Sequence, residues 1–88
     1  MHSKRYRLAH LAFLQGFEAA ARTLSFTKAA EELFITQSAV SRQIKALEDS
    51  LGLKLFERRP RSLTLTESGQ ALYRIATDVL DRLQGAID

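Results

Sequence analysis

Apolar residues recur along this chain at two different periods, and the switch between the periods divides it into elements. Over about residues 8–22, Leu11, Leu14, Phe17 and Ala21 fall on one side of a helical repeat, reinforced by Phe13 and Leu24, which predicts a core-forming first helix. Phe13 and Phe17 are therefore expected in the core and not at a ligand. Gly16 inside this helix costs about 1 kcal/mol against Ala, so a neighbour is expected to approach closely there. Residues 25–48 predict two further short helices: Ala29 and Ala30 offer a close-packing surface, Leu33 and Ile35 straddle a turn, and Val40, Ile44 and Leu47 face inward. The hydroxyls of Ser25 and Thr36 suit the N-caps of these helices. The third helix is expected to run from 37 to 50 or 51, with Gly52 as its stop.

Beyond Gly52 the period becomes two. Leu53, Leu55, Leu63 and Leu65 alternate with polar residues around the stretch ERRPRS, which predicts a strand pair with Pro60 and its charged neighbours at the tip. This hairpin is basic, carrying Arg58, Arg59 and Arg61; the alternative is a solvated connecting loop. From Thr66, a cap, and Glu67, placed for the positive end of a helix dipole, the period is helical again. A helix from here to the end of the chain spans ~30 Å, and Leu72, Ile75, Val79, Leu83 and Ala86 repeat along it at steps of three and four. Its first turn or two are expected to pack back on the domain. One small hairpin and three short helices cannot cover the rest, so the later turns are expected to form a helix-on-helix dimer seam.

Two short helices joined by a tight turn make a helix-turn-helix, a device for reading DNA. On the second of them Ser38, Ser41, Arg42 and Lys45 lie opposite the apolar stripe. Short hydroxyls beside long cations suit a helix pressed against base edges and phosphates. A hairpin after such a motif is a wing. Phe34 occupies a turn position where many helix-turn-helix proteins place Gly, so a positive φ there would be strained. The expected fold is mainly α: a winged helix-turn-helix of three helices and a short two-stranded wing over 1–65, then a long dimerisation helix over 66–88.

Composition narrows the chemistry. The 88 residues are one small domain, with 45% hydrophobic content sufficient for a modest core. Without cysteine there is no disulfide or thiolate metal site, and only His2 and His10 offer imidazole, so neither metal nor cofactor is expected. No apolar run approaches the roughly 20 residues that cross a bilayer, and the first ten residues lack a signal-peptide core, so a cytoplasmic setting without membrane contact is expected. The net charge of +3 is uneven: residues 1–61 carry +5 and residues 62–88 carry −2. A polyanion would be drawn to the part that holds the helix-turn-helix, although ordinary surface charge is the competing explanation.

With these residues in view, FEAAARTLSFTKAAEELFITQSAVSRQIKALEDSLGLKLFERRPRSLTLTESG, residues 17–69, resembles the N-terminal DNA-binding domain of LysR-type transcriptional regulators. The form EAAARTLSFTKAAEEL is similar to the family's glycine-cleavage-activator-like branch. The resemblance implies a bacterial winged helix-turn-helix that dimerises through antiparallel linker helices and binds an interrupted, dyad-symmetric operator. It also implies a C-terminal small-molecule sensing domain, which is expected to be missing from a chain that stops at Asp88 within a periodic helix, as an excised domain would; no small-molecule ligand is expected in this segment. Family members that contact DNA use a Gln at the start of the recognition helix, the residue after it, and a Ser-Arg pair one turn later. Those positions are Gln37, Ser38, Ser41 and Arg42 here, with Ser38 standing where many members have Pro and offering a hydroxyl instead. Arg58 and Arg61 match wing arginines that enter the minor groove or hold phosphates, and Arg59 stands where a small residue is frequent, as an extra phosphate contact.

The expected mechanism places Arg42 on a guanine edge or phosphate, Gln37 on an adenine or a phosphate, and Ser38 and Ser41 on the groove floor. Lys28, Thr36 and Lys45 complete the helix-turn-helix contacts, with Lys28 and Lys45 as phosphate neutralisers. Leu72, Ile75, Val79, Leu83 and Ala86 form the homodimer interface. Enzymatic function is not expected, since the carboxylates are scattered and no phosphate-cradling glycine loop occurs. The competing class is a helical protein-interaction or dimerisation module that never touches DNA.

Overall fold

The computed structural model describes residues 8–88, with side-chain surroundings from Leu11 onward. His2 and the other readings on residues 1–7 lie outside the described residues, as does the side chain of His10. Six elements follow in order: α1 (Leu8–Thr23), α2 (Phe26–Leu33), α3 (Gln37–Leu51), β1 (Phe56–Arg59), β2 (Ser62–Leu65) and α4 (Glu67–Ile87). The first helix is the central one, packing on α2, α3 and α4. Its C-terminal half can be surrounded because Ala19, Ala20 and Ala21 are small: all three are buried, beside Phe17. Ala29 and Ala30 do the same for α2, and Val40 and Ile44 supply the inner face of α3. Gly16 is buried against the carboxamide of Gln43 from α3, the close neighbour its cost required.

Two leucines depart from the expected core. Leu24 is exposed, because it ends α1 in the left-handed region at φ 52°, and its side chain leaves the helix stripe there. Leu53 is exposed and outside the sheet: its N–H and that of Gly52 (φ 69°) both bond the Glu48 carbonyl, at 3.2 and 2.8 Å, in the turn that closes α3. The strand therefore starts later than the alternation suggested. Leu55 and Phe56 are consecutive and both buried, and Phe56 meets Phe17 and Phe26 edge-on at 5.7 and 5.4 Å between ring centroids.

Glu48 controls the path between α3 and the sheet. It is buried, and its carboxylate accepts the Leu55 N–H at 2.8 Å. Leu55 in turn accepts from Thr66 N at 3.0 Å, while the Thr66 hydroxyl donates to the Lys54 carbonyl at 2.6 Å and accepts from Gly69 N at 3.0 Å as the cap of α4. A Cβ on Gly69 would overlap the Leu55 carbonyl, so this close crossing requires glycine. The two strands pair antiparallel with Phe56 opposite Leu65 and Arg59 opposite Ser62, leaving Pro60 and Arg61 at the tip. Along α4, Gly69 and Ala76 are buried and Leu72 and Tyr73 pack on the core. Leu72 thus belongs to the domain's own core and not to the outward stripe; it lies in the early turns, where α4 still faces α1 and β2. Ile75, Val79, Leu83 and Ile87 remain exposed, at 59%, 42%, 41% and 72%, as does Ala86.

Candidate nucleic-acid interface

Capping geometry sets the angle at which α3 leaves the turn. Ser25 accepts Lys28 N at 3.0 Å and starts α2. The helix closes with Ile35 N bonded to the Ala30 carbonyl at 3.0 Å and Phe34 N to that of Glu31 at 3.4 Å, the paired bonds of a Schellman turn. That turn needs a left-handed residue, and Phe34 supplies it at φ 59°, ψ 40°, the residue being 94% exposed. The expected substitution of Phe for Gly therefore leaves the turn geometry intact and stores local strain. Thr36 then caps α3 by accepting Ala39 N at 3.0 Å, and its hydroxyl lies 3.2 Å from that of Ser38.

The α3 surface so presented begins with Gln37 and Ser38, continues with Ser41 and Arg42 one turn on, and reaches Lys45. Together with the wing it walls an open groove of about 990 Å³. The groove gathers Gln37, Ser38, Ser41, Arg42, Lys45, Arg58 and Arg59 from the expected set; Lys28, Thr36 and Arg61 stand outside its lining. Lys28 is exposed on α2, Thr36 is engaged at the cap, and Arg61 sits at the wing tip.

Charge in the groove is graded. Arg42, Arg58 and Arg59 cluster with the N-terminal half of α3, whose dipole adds partial positive charge, while Asp49 lies at the far end. Lys45 is paired to Asp49 at 3.3 Å, an exposed i,i+4 bridge of the kind that contributes at most about 1 kcal/mol and yields to a stronger anion. Arg58 is held differently. The strand register puts it on the same face as Phe56, and its guanidinium lies 4.9 Å from the Phe26 ring centroid, tying the wing to the start of α2. Arg59 points from the opposite face. Away from the groove, Arg22 bonds Glu18 and also Glu32 on α2; the two carboxylates, Glu18 first, hold its pKa above the usual arginine value and clamp α1 to α2.

Ser25, Phe26, Asp49 and Ser62 also line the groove, and sequence reasoning did not assign them to it. Ser25 carried only a capping signal, and Ser62 becomes visible only once the register sets it opposite Arg59. A further contact joins the two helices of the motif: the Thr27 hydroxyl donates to Gln37 Oε1 at 3.2 Å. Among the described residues, no group of three or more metal-ligating side chains occurs, and no helix is long and apolar enough to cross a membrane.

Residues 11–70 match the family described as bacterial regulatory helix-turn-helix protein, lysR family. The glycine cleavage system transcriptional activator of Escherichia coli strain K12 is 60% identical over 80 residues, 91% of this chain and 26% of that protein. The HTH-type transcriptional activator AmpR of Pseudomonas aeruginosa is 52% identical over 75 residues, 85% of this chain and 25% of that protein. This chain thus spans about a quarter of the length of these relatives. Among solved structures, the BenM DBD/catB site 1 DNA complex is similar at TM-score 0.84 and 39% identity, covering 88% of this chain and 86% of that one. The CbnR DBD–DNA complex is similar at TM-score 0.75 and 33% identity, covering 88% and 97%.

Proposed function

The chain belongs to the LysR family of bacterial regulatory helix-turn-helix proteins, and from that membership we propose that it is the sequence-specific, double-stranded-DNA-binding segment of a transcriptional regulator. The observation that carries this reading is the groove itself, in which the outward residues of α3 and two wing arginines converge on one basic, hydroxyl-rich surface. Likeness to two protein–DNA complexes at more than 30% identity supports it. In this reading residues 1–65 are the DNA-binding unit and residues 66–88 the linker and dimerisation helix.

The recognition helix α3 enters the major groove. Arg42 meets a guanine edge or a phosphate, Gln37 a base edge or phosphate at the helix N-terminus, and Ser38 and Ser41 the groove floor. The wing lies on the minor groove or backbone, with Arg59 and Arg61 on phosphates and Arg58 both contacting DNA and anchoring the wing through Phe26. Lys28 and Lys45 neutralise phosphates, Lys45 by exchanging its bridge to Asp49. Two copies joined through Ile75, Val79, Leu83 and Ala86 hold their recognition helices at a set distance, so operator symmetry follows from protein symmetry. The relatives are named as transcriptional activators; this chain acts as a binding module and not an enzyme, in the cytoplasm where the operator lies.

Selection from a random duplex pool tests the proposal. An inverted repeat with one fixed half-site spacing is expected to emerge. A pool that stays unenriched, or binding that is equal for every sequence, would overturn it.

A further inference from the structure

We propose that Thr27 is a positioning residue for sequence recognition, acting on DNA through the side chain of Gln37. The inference rests on the reading of Gln37 as a DNA contact. Gln37 is the first residue of α3, exposed and long, and a free carboxamide there would sample many orientations. It is not free: its Oε1 accepts the Thr27 hydroxyl at 3.2 Å, a contact between side chains of two helices, ten positions apart. The other described threonines with hydroxyl contacts use them differently. Thr23 and Thr77 bond backbone carbonyls within four residues, and Thr36 caps α3 beside the Ser38 hydroxyl. Thr66 caps α4 and donates to the backbone carbonyl of Lys54, whereas the partner of Thr27 is a side chain ten positions away. Thr27 sits in the first turn of α2, where no carbonyl of its own helix lies four residues back for its hydroxyl to reach, so the group is available for a distant partner.

An amide offers an acceptor oxygen and a two-proton donor, and which end faces a base decides which base edge it matches. With Oε1 drawn toward α2, the Nε2 donors are the end left without a partner among the described residues. Gln37 therefore meets DNA as a donor, toward an acceptor such as a purine N7, guanine O6, thymine O4 or a phosphate oxygen. Thr27 is exposed in the first turn of α2 with its hydroxyl engaged by the amide, so its effect on base preference runs through Gln37.

The test is a double-mutant cycle on an operator selected from a random pool, with each base pair of the half-site varied in turn. Four proteins are compared: the parent, Thr27→Val, Gln37→Ala and the double variant, with Thr27→Ser as the conservative rescue. Thr27→Val keeps the side-chain shape and removes the hydroxyl of an exposed residue, so unfolding curves should match the parent. Gln37→Ala is expected to reduce discrimination at one step about tenfold. Thr27→Val should reduce it at the same step by about three- to tenfold, have no further effect in the Gln37→Ala background, and be reversed in Thr27→Ser. Equal weakening on all sequences, additive with Gln37→Ala, would make Thr27 a backbone contact in its own right and overturn the inference. A silent Thr27→Val beside an effective Gln37→Ala would overturn it too, leaving the reading of Gln37 standing. A silent Gln37→Ala would remove that reading and the inference with it.

Discussion

A missing Cβ matters in this chain through what stands in front of it. Gly16 faces the end of the Gln43 side chain, a flexible amide whose oxygen is buried without a partner among the described residues. Gly69 faces a backbone carbonyl that cannot swing away. Gly16→Ala is therefore expected to displace the amide at little cost and gain up to about 1 kcal/mol of helix propensity. Gly69→Ala should lose roughly 1 to 3 kcal/mol by forcing α4 off the segment before β1. Urea unfolding of both variants checks the order, and a Gly16 variant less stable than the Gly69 variant would show the two surroundings to be misjudged. Arg42 makes the complementary case at the surface. It is exposed and forms no ion pair among the described residues, so Arg42→Ala should leave stability unchanged while weakening specific binding by roughly 1 to 3 kcal/mol and relaxing preference at one base step. Titrations on matched and altered operators measure this; unchanged affinity and preference would remove Arg42 from the proposed contacts.

Strand register divides the arginines of the wing into two kinds. Arg58 shares a face with Phe56 and rests over Phe26, whereas Arg59 points from the opposite face of the strand and Arg61 sits at the exposed tip. Replacing Arg59 and Arg61 by Ala should lower affinity on every sequence and flatten the log–log salt dependence by about 0.9 for each phosphate that is no longer neutralised. Arg58→Ala should cost more affinity than its change in salt slope explains, because the cation–π contact, worth about 0.5 to 1 kcal/mol at an exposed site, also holds the wing against α2. Salt titrations of the three variants separate the effects, and equal behaviour would mean that Phe26 does not fix the wing. Of this element, the hairpin, its basic tip and its turn were legible from alternation and Pro60. Its start and its tether were not: Leu53 obeyed the alternation yet lies in the turn after α3, and Glu48 looks like one more surface charge until the segment before β1 folds over it.

At the scale of the whole molecule, the later turns of α4 present an uncovered apolar row among the described residues. Ile75, Val79 and Leu83 lie on α4 beyond the turns that Leu72, Tyr73 and Ala76 fix to the core, and Ile87 extends the same row. Against a second copy, Leu83→Asp would bury an unpaired charge and is expected to shift dimer toward monomer by several kcal/mol, about what breaking a buried contact costs. Specific DNA affinity should fall with it, since two half-sites are then no longer held at fixed spacing. Sedimentation of parent and variant at equal concentration decides the point: a parent already monomeric at high micromolar concentration, or a variant still dimeric, would mean that the α4 face has another role.

Local interactions are written in the order of residues, and these the chain determined by itself: the helical and alternating periods, the caps Ser25, Thr36 and Thr66, the stop at Gly52, and the outward face of α3. Each depends on neighbours within a turn or two. What only the tertiary structure decided depends on partners far apart in sequence: that Gly16 yields to Gln43 and Gly69 to Leu55, that Leu72 turns inward while Ile75 does not, that Arg58 settles on Phe26, and that Thr27 holds Gln37. A period states which side of a helix is apolar, but the element that covers it is set by the crossing of helices in space.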